Sequence, residues 1–424
     1  MDESTAVKAV QLTASARPRC LFCAAELRHT FVDLGMSPLC ESFVSEDKLN
    51  HMEPFYPLRV YVCEGCFLVQ LEEFVAPEEI FTEYAYFSSY AQSWVEHMGR
   101  YADAISRRLN LTRDSLVVEV ASNDGYLLQH FMAKAIPVLG IEPAANVARV
   151  AMDKGIPTLV RFFGEALARE LAAQGKRADL ICGANVLAQV PNINDFVKGL
   201  EILLKPGGVV TIEFPHLLKL MAENQFDTIY HEHFFYFSFL AAEKIFGAHG
   251  LRIFDVDRLP THGGSLRIYA CRSGDTKPVT RAVEALREEE HAAGVLRLES
   301  YSRFDEQVKE TKRKLLAFLI DAKRAGKTVV GYGAPGKGNT LLNYCGIRTD
   351  FIDFTVDRNP YKHGKVLPGT HIPIYAPDRI RDAKPDYVLI LPWNVKDEIM
   401  EQMAYVREWG GKFVVPIPEV AVLD

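Results

Sequence analysis

Ser115-Leu-Val-Val-Glu-Val-Ala-Ser-Asn-Asp-Gly-Tyr-Leu-Leu-Gln-His-Phe131 is the stretch that decides the fold. Its first six residues form a short apolar run, too short for a helix and rich in Val. It reads as a buried strand of a parallel sheet, with an acidic residue, Glu119, inside it. A small polar turn follows, Ala121-Ser122-Asn123-Asp124-Gly125, and then a helix begins. A turn at the carboxyl end of such a strand leaves backbone amides open to a ligand. Gly125 would let the backbone approach that ligand without a Cβ clash. The turn is not G-x-G-x-x-G, which argues against a standard dinucleotide fingerprint.

The same rhythm continues outward. Pro137–Glu142 (PVLGIE), Ala178–Asn185 (ADLICGAN) and Gly207–Phe214 (GGVVTIEF) read as further strands separated by helical text. Glu142 ends the second of them, where a carboxylate can hold both ribose hydroxyls of a nucleoside. Leu251–Leu259 and Gly264–Arg272 read as two more strands, close enough to pair antiparallel. N-terminal to the first strand, Trp94, Met98, Tyr101, Ala102 and Ile105 recur at helical spacing. Residues 277–324 read as long charged helices. Beyond Gly326 a second α/β rhythm starts, with strands in TVVGYG, FTVD, DYVLILP and KFVVPIP. The expected fold class is α/β, doubly wound, with two Rossmann-like units. The expected boundaries are a small zinc-binding domain at 1–80, a first α/β domain at 81–306 and a C-terminal Rossmann-like domain at 307–424.

Composition fits two or three soluble domains: 424 residues, 48% apolar, 24% charged, net charge −7. That charge advertises no nucleic-acid surface. No apolar run approaches the ~18 residues that span a bilayer, and the first twenty residues lack the apolar core of a secretory leader. A cytoplasmic protein with no membrane partner is expected. Four of the eight cysteines stand in two C-x-x-C pairs, Cys20/Cys23 and Cys63/Cys66. A two-residue spacer lets one turn supply two of the four tetrahedral ligands of Zn2+. Two such pairs in one small turn-rich region favour zinc over a redox pair. With four thiolates no position stays open, so the zinc is expected to be structural. Cys40, Cys182, Cys271 and Cys345 are expected to be ordinary buried residues.

Two further stretches carry chemistry. Tyr230-His231-Glu232-His233-Phe234-Phe235 brings a base of suitable pKa, a carboxylate and a phenol into an aromatic setting. Those are the groups needed to remove a proton beside a ketone and stabilise the enolate. H-E-H is not H-E-x-x-H, so a metal reading is weaker. Gly331, Gly333 and Gly336 satisfy G-x-G-x-x-G, and Asp357 lies some twenty residues on. This turn would also pass for most of a P-loop, except that Gly338 stands where a Ser or Thr should bind magnesium. A glycine-rich turn opening a helix, with Lys337 beside it, offers amides and positive charge to a pyrophosphate. Asn339, Asn394 and Arg267 are secondary candidates for the same ligand.

The strings EYAYFSSYAQSW, VVEVASNDGYLL, FDTIYHEHFFYFS, HGGSLR, GAPGKGNTLLNYC and LPWN occur in this order. Glu119–Gly125, Glu142-Pro143 and Asn185 resemble class I S-adenosylmethionine methyltransferases. The whole chain resembles the zinc-containing sugar C-methyltransferases, which make branched deoxysugars such as mycarose, noviose, virenose and tetronitrose. The resemblance implies that Glu142 binds the ribose of S-adenosylmethionine, that Ser122, Asn123, Asp124 and Gly125 lie against its methionyl part, and that Asn185 borders it. It implies His233 as the base, Tyr230 and Glu232 as neighbours of the sugar, and Tyr84 as a lid residue. It supports a pyrophosphate site at Gly336 and Lys337, and a nucleotide-diphosphate keto sugar as substrate. The chain departs from the antibiotic-sugar enzymes at Gln189, where they carry a His that touches the sugar. Gln can donate and accept hydrogen bonds but cannot carry a proton at neutral pH. Two rival readings remain open at this point: an NAD-dependent nucleotide-sugar oxidoreductase built on the C-terminal glycine turn, and a non-catalytic zinc and nucleotide-binding scaffold.

Overall fold

The computed structural model describes residues 17–81 and 87–424. The strand that opened the argument, Val117–Val120, is buried along its whole length, Glu119 included. It sits inside a seven-stranded sheet ordered Leu251–Leu259, Ser265–Arg272, Leu204–Pro215, Ala178–Ala184, Val117–Val120, Val138–Ile141, Thr158–Leu159. The last five strands run parallel. Leu251–Leu259 and Ser265–Arg272 pair antiparallel with each other, and the latter pairs antiparallel with Leu204–Pro215. The central strands Val117–Val120 and Val138–Ile141 are buried at every position, as expected of parallel strands covered on both faces.

Helix Gln92–Arg108 buries Met98, Tyr101, Ala102 and Ile105, the predicted stripe. Trp94, the fifth member, is left half-buried at the end of that stripe. The charged stretch forms helices Arg281–Ala293 and Phe304–Arg324. Their polarity is not uniform. Glu290 is fully buried and accepts hydrogen bonds from the amides of Phe239 and Leu240, at 2.6 and 2.9 Å. A carboxylate there offsets the unpaired N–H groups at the start of helix Phe239–Ala248.

The C-terminal sheet has six strands, in the order Ile374–Tyr375, Thr355–Val356, Val329–Tyr332, Tyr387–Ile390, Lys412–Val415, Ala421–Leu423. All pairs are parallel except the last. The N-terminal region folds around an antiparallel sheet of His29–Ser37, Tyr56–Val62 and Val69–Leu71. Two pairings tie it to the rest. Phe235–Tyr236, directly after the Tyr230–His233 stretch, adds a fourth strand against Val69–Leu71. Val44–Ser45 pairs with Lys365–Val366 of the C-terminal unit.

Candidate active site and metal centre

The two cysteine pairs fold into matching knuckles. In one, the amide of Cys20 bonds to the carbonyl of Ala25 and that of Ala24 to the carbonyl of Cys20. In the other, the amide of Cys63 bonds to the carbonyl of Leu68 and that of Phe67 to the carbonyl of Cys63. Ala24 and Phe67 both take a left-handed conformation, each with φ of 61°. The four Sγ atoms lie within 4.8 Å of one another. Cys20 and Cys66 stand 3.6 Å apart, and Cys23 and Cys63 3.5 Å. Ligands at ~2.3 Å on a tetrahedral zinc would be about 3.8 Å apart. The four thiols therefore fit the ion and close its coordination sphere, which leaves the zinc a structural role. The first knuckle also grips the methyltransferase-like unit. Asn194 Nδ2 donates to the carbonyls of Leu21 and Phe22 at 3.1 and 3.0 Å.

One cavity of about 1270 Å³ receives residues from all three parts of the chain. One side of it is formed by the turn after Val120. Ala121 (φ 57°), Asn123 (φ 49°) and Gly125 (φ 79°) are all left-handed. Glu142 is buried and holds that turn. Its carboxylate accepts from the amides of Asn123 and Ala144, both at 2.9 Å. Burial raises its pKa, and those two amides pull it down. Asn123 and Glu142 line the cavity. Ser122 and Asp124 do not. Both are buried behind the turn, where Ser122 packs on Gly140, and one carboxylate oxygen of Asp124 accepts from the amide of Ser89 at 3.2 Å. Gly125 also differs from expectation. The space a Cβ would need is filled by Ile156, whose Cδ1 would lie 2.2 Å away, so core packing requires the glycine. Glu119 lies fully buried in its strand, its pKa pushed well up by burial, beside Tyr126.

Asn185, also left-handed at φ 62°, borders the cavity. Its Nδ2 donates to His262 Nε2 at 2.9 Å, and its buried Oδ1 has no hydrogen-bond partner among the described residues. An orphaned acceptor beside a carboxylate-held turn suits a ligand with both an ammonium group and a ribose. The residues thus fit S-adenosylmethionine.

Another wall of the cavity comes from the Tyr230–His233 stretch. The two histidines part company there. His231 turns into the N-terminal sheet, with Nε2 donating to the carbonyl of Pro57 at 3.2 Å. His233 lines the cavity. Its Nδ1 donates to the carbonyl of Thr228 at 3.2 Å, which leaves Nε2 as the proton acceptor. Burial lowers its pKa to about 4, with His262 and Lys337 adding to the shift, so the ring is neutral at pH 7. Tyr230 packs against the His233 ring with centroids 4.2 Å apart, and burial holds its hydroxyl protonated. Glu232 lines the same wall and accepts from the thiol of Cys40 at 3.4 Å. Cys40, expected to be an ordinary buried cysteine, thus stands at the cavity beside a candidate catalytic carboxylate.

Gln189, Gly336, Lys337 and Asn394 also line the cavity. Lys337 Nζ lies 4.8 Å over the Trp393 ring and donates to Asn394 Oδ1 at 2.7 Å. Burial lowers its pKa, opposed by Asp227. Two expected ligand residues lie elsewhere. Arg267 is buried in strand Ser265–Arg272, paired with Glu213 at 2.6 Å and seated over Tyr101. Asn339 is buried in helix Gly336–Cys345, with its Oδ1 taken by Asn343. An Arg on a strand facing a buried Glu is consumed by the pair, because either charge left alone would be costly. Tyr84 lies outside the described residues.

His97 and His262 also line the cavity, though neither was singled out as a site residue. His97 bonds to Glu213 at 3.2 Å. Burial raises the pKa of Glu213, but His97 and Arg267 outweigh it and hold it at about 2. His262 sits against Trp94, ring centroids 5.2 Å apart. Only the HGG spacing, with its two glycines, marked its neighbourhood in advance.

Three family models match in succession: "Putative zinc binding domain" over residues 20–81, "Methyltransferase domain" over 92–256 and "C-methyltransferase C-terminal domain" over 260–418. The chain is 36% identical over 405 residues to the C-methyltransferase NovU of Streptomyces niveus, covering 96% of each. Among solved structures it overlaps a S-adenosylmethionine-dependent methyltransferase from Clostridium acetobutylicum at 12% identity and a TM-score of 0.34, over 42% of this chain and 92% of that one. It overlaps the magnesium protoporphyrin IX methyltransferase of Synechocystis at 18% identity and a TM-score of 0.31, over 42% and 81%. The family models and the full-length relative carry the assignment, and these overlaps add nothing to it. The chain belongs to the zinc-containing, S-adenosylmethionine-dependent C-methyltransferases.

Proposed function

We propose that this C-methyltransferase acts on a keto-deoxysugar carried by a nucleoside diphosphate, by deprotonation beside the ketone and alkylation of the resulting carbon. The proposed division of the chain is a zinc-binding domain at 1–80, a donor domain at 81–306 and a nucleotide-sugar domain at 307–424. The observation that carries the reading is the tautomer of His233. Its Nδ1 proton is committed to the Thr228 carbonyl, which leaves Nε2, on a ring that lines the cavity, without a proton and able to act as a base.

Bound S-adenosylmethionine supplies an electrophilic methyl group; everything that prepares the carbon falls to side chains. His233 Nε2 takes the proton beside the ketone. The Thr228 carbonyl then stabilises the imidazolium through the Nδ1 hydrogen bond. The Tyr230 hydroxyl, protonated throughout, donates to the developing enolate oxygen. In this reading Glu232 and Gln189 bind sugar hydroxyls, Lys337, Asn394 and the amides that open helix Gly336–Cys345 hold the pyrophosphate, and Glu142, Asn123 and Asn185 hold the donor. Aromatic walls from Trp94 and Tyr230 keep water from the reacting carbon.

The test is hydrogen exchange. In deuterated water, with S-adenosylhomocysteine blocking alkylation, the enzyme should exchange the hydrogen beside the ketone of a keto-sugar nucleotide. A panel of nucleotide sugars of which none exchanges and none is methylated would remove the proposed substrate class.

A further inference from the structure

His262 stands in a turn whose backbone is held against its own preference. It takes a left-handed conformation, φ 53°, and Gly263 and Gly264 follow at 86° and 118°. A residue other than glycine is strained there and persists only where its surroundings fix it. Here they do. Gln225 Nε2 donates to the carbonyl of Gly263 at 2.8 Å, Thr261 Oγ1 to Glu213 at 2.7 Å, and the amide of Gly264 to the carbonyl of Thr261 at 2.9 Å. A Cβ on Gly263 would meet Gln225 and Trp393 at 2.7 and 2.8 Å. The turn seats the imidazole on Trp94 at the wall of the cavity.

The ring's proton is fixed as well. Asn185 Nδ2, which can only donate, lies 2.9 Å from His262 Nε2. Nε2 therefore accepts, and in the neutral ring the single proton sits on Nδ1. Burial lowers the pKa of His262 to about 4, with Lys337 and His97 adding to the shift and Glu213 opposing it, so the ring is neutral at pH 7. The bond from Asn185 is the one hydrogen bond that the ring makes among the described residues, which leaves the Nδ1 proton uncommitted. His262 and Lys337 both act on the charge of His233, which puts the ring among the residues around the base.

We propose that His262 Nδ1 donates a hydrogen bond to the ketone oxygen of the substrate, and to the enolate oxygen that replaces it, as a second donor with Tyr230. This rests on the reading that the substrate is a keto sugar deprotonated beside its carbonyl. His233 Nε2 takes the proton, the C–H electron pair becomes the C=C bond, and the carbonyl π pair moves onto oxygen. His262 keeps its own proton throughout. A neutral donor suits the place. An imidazolium would set a second positive charge near the sulfonium of the donor, whereas a neutral N–H polarises the carbonyl without adding charge. Asn185 thus fixes the tautomer of His262 from the donor side of the cavity.

The experiment uses the zinc-loaded protein saturated with S-adenosylhomocysteine, and keto-deoxyhexose esters of thymidine and uridine diphosphate as probes. Deuterium exchange beside the ketone then reads proton removal apart from donor binding. His262→Ala should slow exchange by about 10²-fold or more, the usual effect of removing one oxyanion donor, with S-adenosylhomocysteine affinity little changed. His262→Asn tolerates the left-handed backbone and keeps an N–H near the place of Nδ1. It should recover about tenfold of the loss, the equivalent of one net hydrogen bond. Infrared spectra of a probe isotope-labelled at the ketone give a readout that does not require altering His262. In Tyr230→Phe the ketone stretch should still move to lower frequency on binding, and His262→Ala on that background should lose the shift. If the stretch does not move in Tyr230→Phe, His262 does not reach the oxygen and the inference falls, whether or not His262→Ala folds. If His262→Ala weakens S-adenosylhomocysteine but exchanges at the wild-type rate once saturated, His262 serves Asn185 alone, and the inference falls with the keto-sugar reading intact. If wild type neither exchanges nor methylates any keto-sugar nucleotide offered, that reading falls and the inference with it.

Discussion

The turn after Val120 and the turn after Tyr332 do the same structural work with different residues. The first has three left-handed residues, two of them not glycine; in the second, only Gly333 is left-handed, with φ of 89°. A Cβ on Gly333 would meet Pro392 Cδ at 2.6 Å. Non-glycine residues in that conformation cost about 1 kcal/mol or more each, and persist only where the surroundings over-determine them. At Asn123 the amide is held by Glu142 and the side chain accepts from the amide of Ser88 at 2.9 Å. Each turn mixes charges of both signs. At the first, Asp124 and Glu142 stand with Lys154, whose Nζ lies 3.8 Å from Asp124 Oδ2. At the second, Asp357 and Glu41 stand with Lys362, and Lys337 follows in the helix that the turn opens.

The largest expected effect tests whether the donor side stands alone. Binding of structural zinc contributes on the order of 10 kcal/mol, and the knuckle holding Leu21 and Phe22 docks on Asn194. Metal analysis of the wild type should find one zinc per chain; Cys63→Ser should lose it and loosen S-adenosylhomocysteine binding more than nucleoside diphosphate binding. Zinc loss with donor affinity intact would show the knuckle to be independent of that side.

His233→Ala should lower turnover by roughly 10²–10⁴-fold, the usual contribution of a general base. Deuterium exchange beside the ketone should fall with it, while both ligands still bind. Near wild-type turnover would move the base to Glu232 or Tyr230. Next comes a double dissociation. Glu142→Ala should weaken S-adenosylhomocysteine by about 1–3 kcal/mol and spare nucleoside diphosphates; Lys337→Met should do the reverse on a similar scale. Equal losses of both ligands in both variants would dissolve the comparison between the two turns.

The smallest effect is on pH. Burial depresses His233 and His262 to about 4 in the folded chain, against about 6.5 unfolded. The unfolded state then binds more protons between those values. The stability that these neutral rings contribute is complete above about pH 6.5 and is lost as pH falls toward 4. Thermal midpoints measured across that range should decline, and His262→Gln should flatten the slope. The acid limb of kcat/KM should also fall well below the ordinary imidazole range; a limb near 6.5 would mean that the base is not buried as His233 is.

What the sequence by itself determined were features written in short spacings. The C-x-x-C pairs appeared as knuckles, the Val-rich runs as parallel strands, and Glu142 at the end of its strand, because turn geometry and strand burial act over a few residues. Tertiary structure decided everything that depended on which strand or loop comes next in space. His231 and His233 are two residues apart, and nothing local says that one faces Pro57 and the other the cavity. Arg267 looked available for a phosphate until Glu213, on the neighbouring strand, took its charge. Cys40 carried no motif, yet its loop reaches Glu232 from nearly two hundred residues away. Gly125 makes room for Ile156, a packing partner from just beyond helix Ala145–Asp153. Such outcomes follow from long-range pairing, which fixes the partners of a buried charge or a missing Cβ and leaves no periodicity in the chain to announce them.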